Sequence, residues 1–151
     1  MMKFFISMTY LLCSTFLFSQ ETEFKLCEQV ETYPYYFNKV TYKGGFWIIK
    51  QHYITKYPKN SFQKLKNNSG IVTIQFKVNC KGQAGDFIIK QCDLNYKPII
   101  LDEEITTHFI EETQNLKDWI PGKDEDGNNV NSYKFFSFRI KEGVLLEILP
   151  K

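Results

Sequence analysis

Glycine and proline are scarce in this sequence: eight and five among 151 residues, too few for a collagen-like chain or a Pro-rich linker architecture. Histidine is scarcer still. The two histidines, His52 and His108, lie far apart, and no Cys-x-x-Cys occurs, so neither a metal site nor a cofactor is expected. Neither charge sign dominates: 19 basic side chains face 17 acidic ones, a net charge of +2. A nucleic-acid binder normally carries a basic patch or stripe, so that class is set aside. No internal period suggests repeats. There is no Ser-His-Asp signature, glycine-rich phosphate loop or metalloprotease motif. What the chain does have is apolar bulk, with 43% hydrophobic residues including 14 Phe and 9 Tyr. That suits one packed domain and excludes a largely disordered chain.

Residues 1–20 read as a secretory signal peptide. Lys3 supplies the positive start and Phe4 to Phe18 the apolar stretch, with cleavage expected near Ser19 or Gln20. The stretch is shorter than the roughly 18 to 20 apolar residues a spanning helix needs. A retained anchor is the competing reading. Leu12 before Cys13 is too large for a lipobox. The expected product is exported, periplasmic or secreted. Residues 21–43 form an aromatic arm, and 44–151 the domain itself.

Export makes the cysteines relevant. Cys27, Cys80 and Cys92 remain after cleavage, so one disulfide and one free thiol are expected. A hairpin turn centred near Gln83 would set Cys80 opposite Asp86 and Cys92 opposite Ile74. Those two cysteines would then stand about 20 Å apart along the strand, too far for a bridge. The expected disulfide joins Cys27 to Cys80 or to Cys92. A cysteine nucleophile paired with His52 or His108 would instead make the chain a secreted enzyme.

Residues 46, 49, 53 and 57 fall on one helical face, and Pro58 ends that helix. A largely polar connection runs from Lys59 to Ser69. Val72, Ile74, Phe76, Val78 and Cys80 alternate with polar residues and predict a strand, which returns as a hairpin through Phe87-Ile88-Ile89. Asp102 is a good N-cap for a second helix carrying Ile105, Phe109 and Leu116, closed by Trp119-Ile120-Pro121-Gly122. Phe136, Phe138 and Ile140 alternate along a third strand, and Glu142-Gly143 turns into a last one, Val144 to Leu149. The expected fold is α+β, two helices packed on a three- to four-stranded antiparallel sheet.

Three other patterns bear on function. Asp124, Asp126 and Asn128 alternate as in calcium loops, but Asn129 and Phe135 stand where an EF-hand needs glycine and glutamate, so a turn is expected. Glu103, Glu104, Glu111 and Glu112 read as a solvated helix face rather than paired catalytic carboxylates. Tyr33, Tyr35, Tyr36 and Phe37 suit packing over the sheet or stacking on sugars, and packing is preferred.

Gly44-Gly45, Tyr57-Pro58, the run Gly70 to Val78 with Gly82, Leu101-Asp102-Glu103-Glu104, and Trp119-Ile120-Pro121-Gly122-Lys123 occur in an order that resembles the C-terminal domain of TonB, over roughly residues 44–142. The resemblance implies a protein-binding module without catalysis. In that family an extended receptor segment adds to the sheet edge. Carried over, that edge is the strand with Val130, Ser132, Lys134, Phe136, Phe138 and Ile140. The implied partner is an envelope protein such as an outer-membrane receptor, with a homodimer left open. An anchored energy transducer is the alternative. However, residues 21–43 hold one proline and reach at most about 75 to 85 Å when fully extended, so a free-standing relative is expected. The tail 144–149 is expected to fold back on that edge and protect it.

Overall fold

The computed structural model describes residues 23–36 and 40–150. The expected signal segment and Phe37 lie outside them. In chain order the elements are β1 (Thr32–Tyr33), β2 (Thr41–Tyr42), α1 (Gly45–Lys56), α2 (Lys59–Phe62), β3 (Gly70–Val78), β4 (Ala84–Cys92), α3 (Glu103–Gln114), β5 (Trp119–Ile120), β6 (Gly122–Lys123), β7 (Asn129–Lys141) and β8 (Val144–Leu149).

Alternation builds the sheet. Val72, Ile74, Phe76 and Val78 of β3 point to one face, as do Phe136, Phe138 and Ile140 of β7, and all seven are buried. β3 lies between β4 and β7, antiparallel to both. Both long helices cover the same face. Ile49 and Tyr53 of α1, and Ile105 and Phe109 of α3, supply their buried residues to one core. Phe109 stacks on Phe138 with ring centres 4.0 Å apart. Each large side chain buried there stabilises the fold by about 1.5–3 kcal/mol relative to exposure. The Asp102 carboxylate caps α3 by accepting from the Glu104 amide at 3.2 Å.

The sheet is larger than the sequence predicts, and not purely antiparallel. Among the described residues there are three helices and eight strands, six strands in one mixed sheet and two in another. The mixed character comes from the arm: Thr32 and Tyr33 run parallel to Asn131 and Ser132. β6 and β8 also pair with β7, while β2 pairs with β5 in the separate sheet. The added strands are mostly two residues long, too short for a period to betray them.

Other expectations are corrected in detail. The second helix stops at Gln114, and Trp119-Ile120 is a strand against Tyr42 and Thr41. The polar connection contains α2, which buries Phe62. The first hairpin strand ends at Val78, before Cys80. Its register places Ala84 opposite Val78 and Cys92 opposite Ile71, not Ile74. Asn79 sets the turn earlier than expected, because its side-chain oxygen accepts from the Lys81 and Gln83 amides at 3.0 Å each. β8 folds back on β7 as expected, with Leu145 opposite Ile140 and Ile148 opposite Phe138.

Candidate functional site

The outer edge of β7 is occupied by the chain itself except at Tyr133 to Phe136. β6 covers Asn129 and Val130, β1 covers Asn131 and Ser132, and β8 covers Ser137 to Lys141. Val130, Ser132, Phe136, Phe138 and Ile140 are buried. Lys134 is half-buried, and burial pushes its ammonium below the usual lysine range. All six expected partner-binding residues share one strand, and most serve as core.

The arm is fastened to that edge. Cys27 and Cys80 form a disulfide with α-carbons 6.0 Å apart, which selects one of the two expected pairings. Asn131, buried, accepts from the amides of Cys27 at 3.1 Å and Cys80 at 3.2 Å. Its side-chain NH2 donates to the carbonyls of Cys27 and Val30, both at 3.1 Å. The Asn79 amide donates to the Lys25 carbonyl at 2.8 Å. The sequence reading missed both asparagines. The available signal was a polar amide at core-adjacent positions of strongly patterned strands, since a buried amide needs partners.

Among the described residues β1, β4, β6 and β8 each pair with only one strand of the main sheet, and β4 and β8 offer the longest of these edges. The β4 edge is awkward for a partner. Asp86 has a positive φ of 54° at a break in register, and Pro98 bridges to Cys92 at the far end. The β8 edge is more open. Beside it lies a groove of about 610 Å³ between α1 and β8, lined by Phe46, Trp47, Ile54, Leu145, Leu146 and Ile148, with Lys50, Arg139 and Glu147. Trp47 is 64% exposed and Leu146 55%, unusual for such apolar side chains. α1 is apolar nearly all round. Ile49 and Tyr53 face the core, which leaves Trp47, Ile48 and Ile54 outside.

The residues for cysteine catalysis are not brought together. Cys80 is in the disulfide, and Cys92 is the free cysteine among the described residues. Cys92 pairs with Ile71, next to core residue Val72, so by alternation its thiol lies on the sheet face away from the helices. Both histidines belong to those helices. His52 Nε2 lies 3.1 Å from the Glu112 carbonyl and 2.8 Å from its carboxylate. His108 sits among the rings of Tyr57, Phe62 and Phe109, and burial pushes its imidazole below the ordinary value. Glu103, Glu104 and Glu111 are exposed on α3. Asp124 closes a turn: its carboxylate accepts from the Asn128 amide at 2.7 Å and from the Asn128 side chain at 3.2 Å. Among the described residues, no group of three His, Cys, Asp or Glu could hold a metal ion, and no helix is long and apolar enough to cross a membrane.

No protein-family model, no curated protein and no solved structure matches the chain.

Proposed function

We propose that this chain is an exported protein-interaction domain of TonB C-terminal type that binds an extended segment of a partner protein as an added strand along β8. One observation carries the reading: an unshared strand edge runs beside the exposed apolar groove of Trp47, Ile54 and Leu146. Strand addition needs that combination, since backbone hydrogen bonds supply affinity and alternate side chains enter adjacent pockets. β1, β6 and β8 cover the β7 edge named by the resemblance except at Tyr133 to Phe136, so the longer open edge lies one strand outward, on β8. The Cys27–Cys80 disulfide fits an oxidising compartment, which supports export to the cell envelope. An envelope protein such as an outer-membrane receptor is the partner proposed.

The test is selection of random 12-residue peptides on the purified protein, followed by amide mapping of the best binders. Protection from exchange along 144–149, loss of binding on N-methylation of alternate peptide bonds, and weakening by Trp47→Ala support the reading. Peptides that bind as helices, or that protect another edge, sink it.

A further inference from the structure

Between β1 and β8 the outer edge of β7 has a gap. β1 pairs there with Asn131 and Ser132, and β8 pairs from Ser137 onward. Among the described residues no strand covers Tyr133 to Phe136 on that side. Across the gap the ladder to β3 is unbroken, so two alternate residues of the four turn their N–H and C=O outward. The open stretch is about 13 Å long. Beside it lies a groove of about 700 Å³, whose lining includes Tyr35, Ile88, Tyr133, Phe135 and Lys134. Tyr35 stands edge-on to Phe135, ring centres 4.8 Å apart and planes at 90°.

We infer that this gap binds the C-terminal end of a partner polypeptide, added as a short strand with its terminal carboxylate against Lys134. The open backbone selects a polypeptide, because a row of outward N–H and C=O groups is matched by another extended chain. The limits of the gap select a chain end. β1 blocks the edge on one side and β8 on the other. An internal segment would have to leave the sheet plane twice within four residues, a chain end only once. Charge selects which end. The Lys77 ammonium is taken by the Asp86 carboxylate at 2.8 Å, whereas Lys134, and Lys90 opposite Thr73 on β4, have no anionic partner. An N-terminal ammonium would meet that excess of positive charge unfavourably, and a carboxylate favourably. Lys134 is half-buried and poorly solvated, so burial holds its ammonium below the usual lysine range, and a counter-ion there gains more than at an open surface. The rings supply the rest. Tyr133 is 48% exposed and Tyr35 45%, which offers apolar surface to alternate side chains of the added strand.

This site is independent of the β8 edge, and the two readings fail separately. The probe is an array of acetylated hexapeptides, random over the last four residues, made once with free and once with amidated C-termini. Free-ended peptides should bind the purified protein with dissociation constants below about 1 mM, and amidation should weaken them about tenfold. Amide shifts should centre on Tyr133 to Phe136, where two alternate amides exchange quickly in the free protein and slowly in the complex. Lys134→Met should weaken binding about tenfold, while Lys134→Arg, which keeps the charge, stays within about threefold. Trp47→Ala, beside β8, should leave this binding unchanged. An unchanged melting temperature checks that each variant folds, and amidation tests the same contact without any variant. Equal binding of free and amidated peptides would overturn the proposal. So would an array without binders, shifts centred on 144–149, or full affinity in folded Lys134→Met. Slow exchange of all four amides in the free protein would also overturn it, since the edge would then be closed.

Discussion

The Tyr53 hydroxyl is the donor in its 2.8 Å hydrogen bond to Thr113 Oγ1, because Thr113 gives its own proton to the Phe109 carbonyl at 2.6 Å. The chain of donors joins α1 to α3 across a site from which water is excluded, as both residues are fully buried. Burial pushes the phenol far above its ordinary pKa, so it stays protonated. Removing one end is therefore not the same as removing the other. Tyr53→Phe deletes the donor and leaves Thr113 satisfied by Phe109, a loss of about 0.5–1.5 kcal/mol. Thr113→Val leaves the phenol without a partner and costs about 1–3 kcal/mol. Urea denaturation of the two variants should show Thr113→Val as the weaker protein. The reverse order would mean the proton runs the other way.

A pH dependence follows from His108. Its ring is half-buried among aromatics, and Nε2 has no hydrogen-bond partner among the described residues. Burial lowers its pKa despite opposing attraction from Glu112 and Glu111, with His52 adding a small effect in the same direction as burial. The native state thus binds the proton less readily than the unfolded chain does. Stability contributed by the neutral ring is complete above the unfolded value of 6.5 and is lost as pH falls below it. Unfolding midpoints should drop between pH 7.5 and 5. His108→Phe should flatten that part of the curve, and an unchanged slope in the variant would assign the effect elsewhere.

The arm is held by covalent and polar links together. The disulfide spans a separation of 53 residues, and its loss in Cys27→Ser/Cys80→Ser should cost about 2–4 kcal/mol. Asn131→Ala keeps the disulfide but strips four hydrogen bonds from Cys27, Val30 and Cys80. Leaving several of those backbone groups unpaired should cost at least about 1–3 kcal/mol. Hydrogen exchange at Cys27 and Cys80 should quicken in Asn131→Ala while the amides of β3 stay protected. Peptide mapping without reductant should find a 27–80 link and one free thiol at Cys92; an 80–92 link would contradict the hairpin register.

What could be read in advance followed from long periods. The alternation at 72, 74, 76 and 78, and again at 136, 138 and 140, survives because each strand has one buried face and one open face. Asp102 was legible as a cap because its chemistry is local. The two-residue strands were not, since Thr32-Tyr33 and Trp119-Ile120 take their conformation from distant partners. The hairpin register also escaped, by way of one side chain, Asn79, whose hydrogen bonds fix a turn earlier than the glycines suggest. For the binding edge, the alternating residues of β7 marked a strand and the Glu142-Gly143 turn marked the tail as a cover for one end of it, yet nothing local showed that β1 and β6 would cover the other. Trp47 and Tyr133 stand out only once neighbours have buried everything around them.

The tail supplies the last prediction. β8 covers Ser137 to Lys141 and contributes buried Ile148 and partly buried Leu145 to the core. Its entry is fixed at Gly143, where φ is 69° and a Cβ would collide with the backbone of Phe62 and Gln63. The Tyr57 hydroxyl donates to the Gly143 carbonyl at 3.0 Å. Deleting residues 143–151 therefore does two things. It removes burial worth about 1.5–3 kcal/mol for Ile148 alone, and it uncovers the C-terminal half of the β7 edge with the aromatic core behind it. A bare edge of that kind recruits another strand. The truncated chain should melt at lower temperature and elute as a dimer or larger species, while the full chain at the same concentration elutes smaller. Light scattering on the column eluate measures both masses. A truncated chain that is folded and monomeric would show that β8 is not what keeps the β7 edge closed.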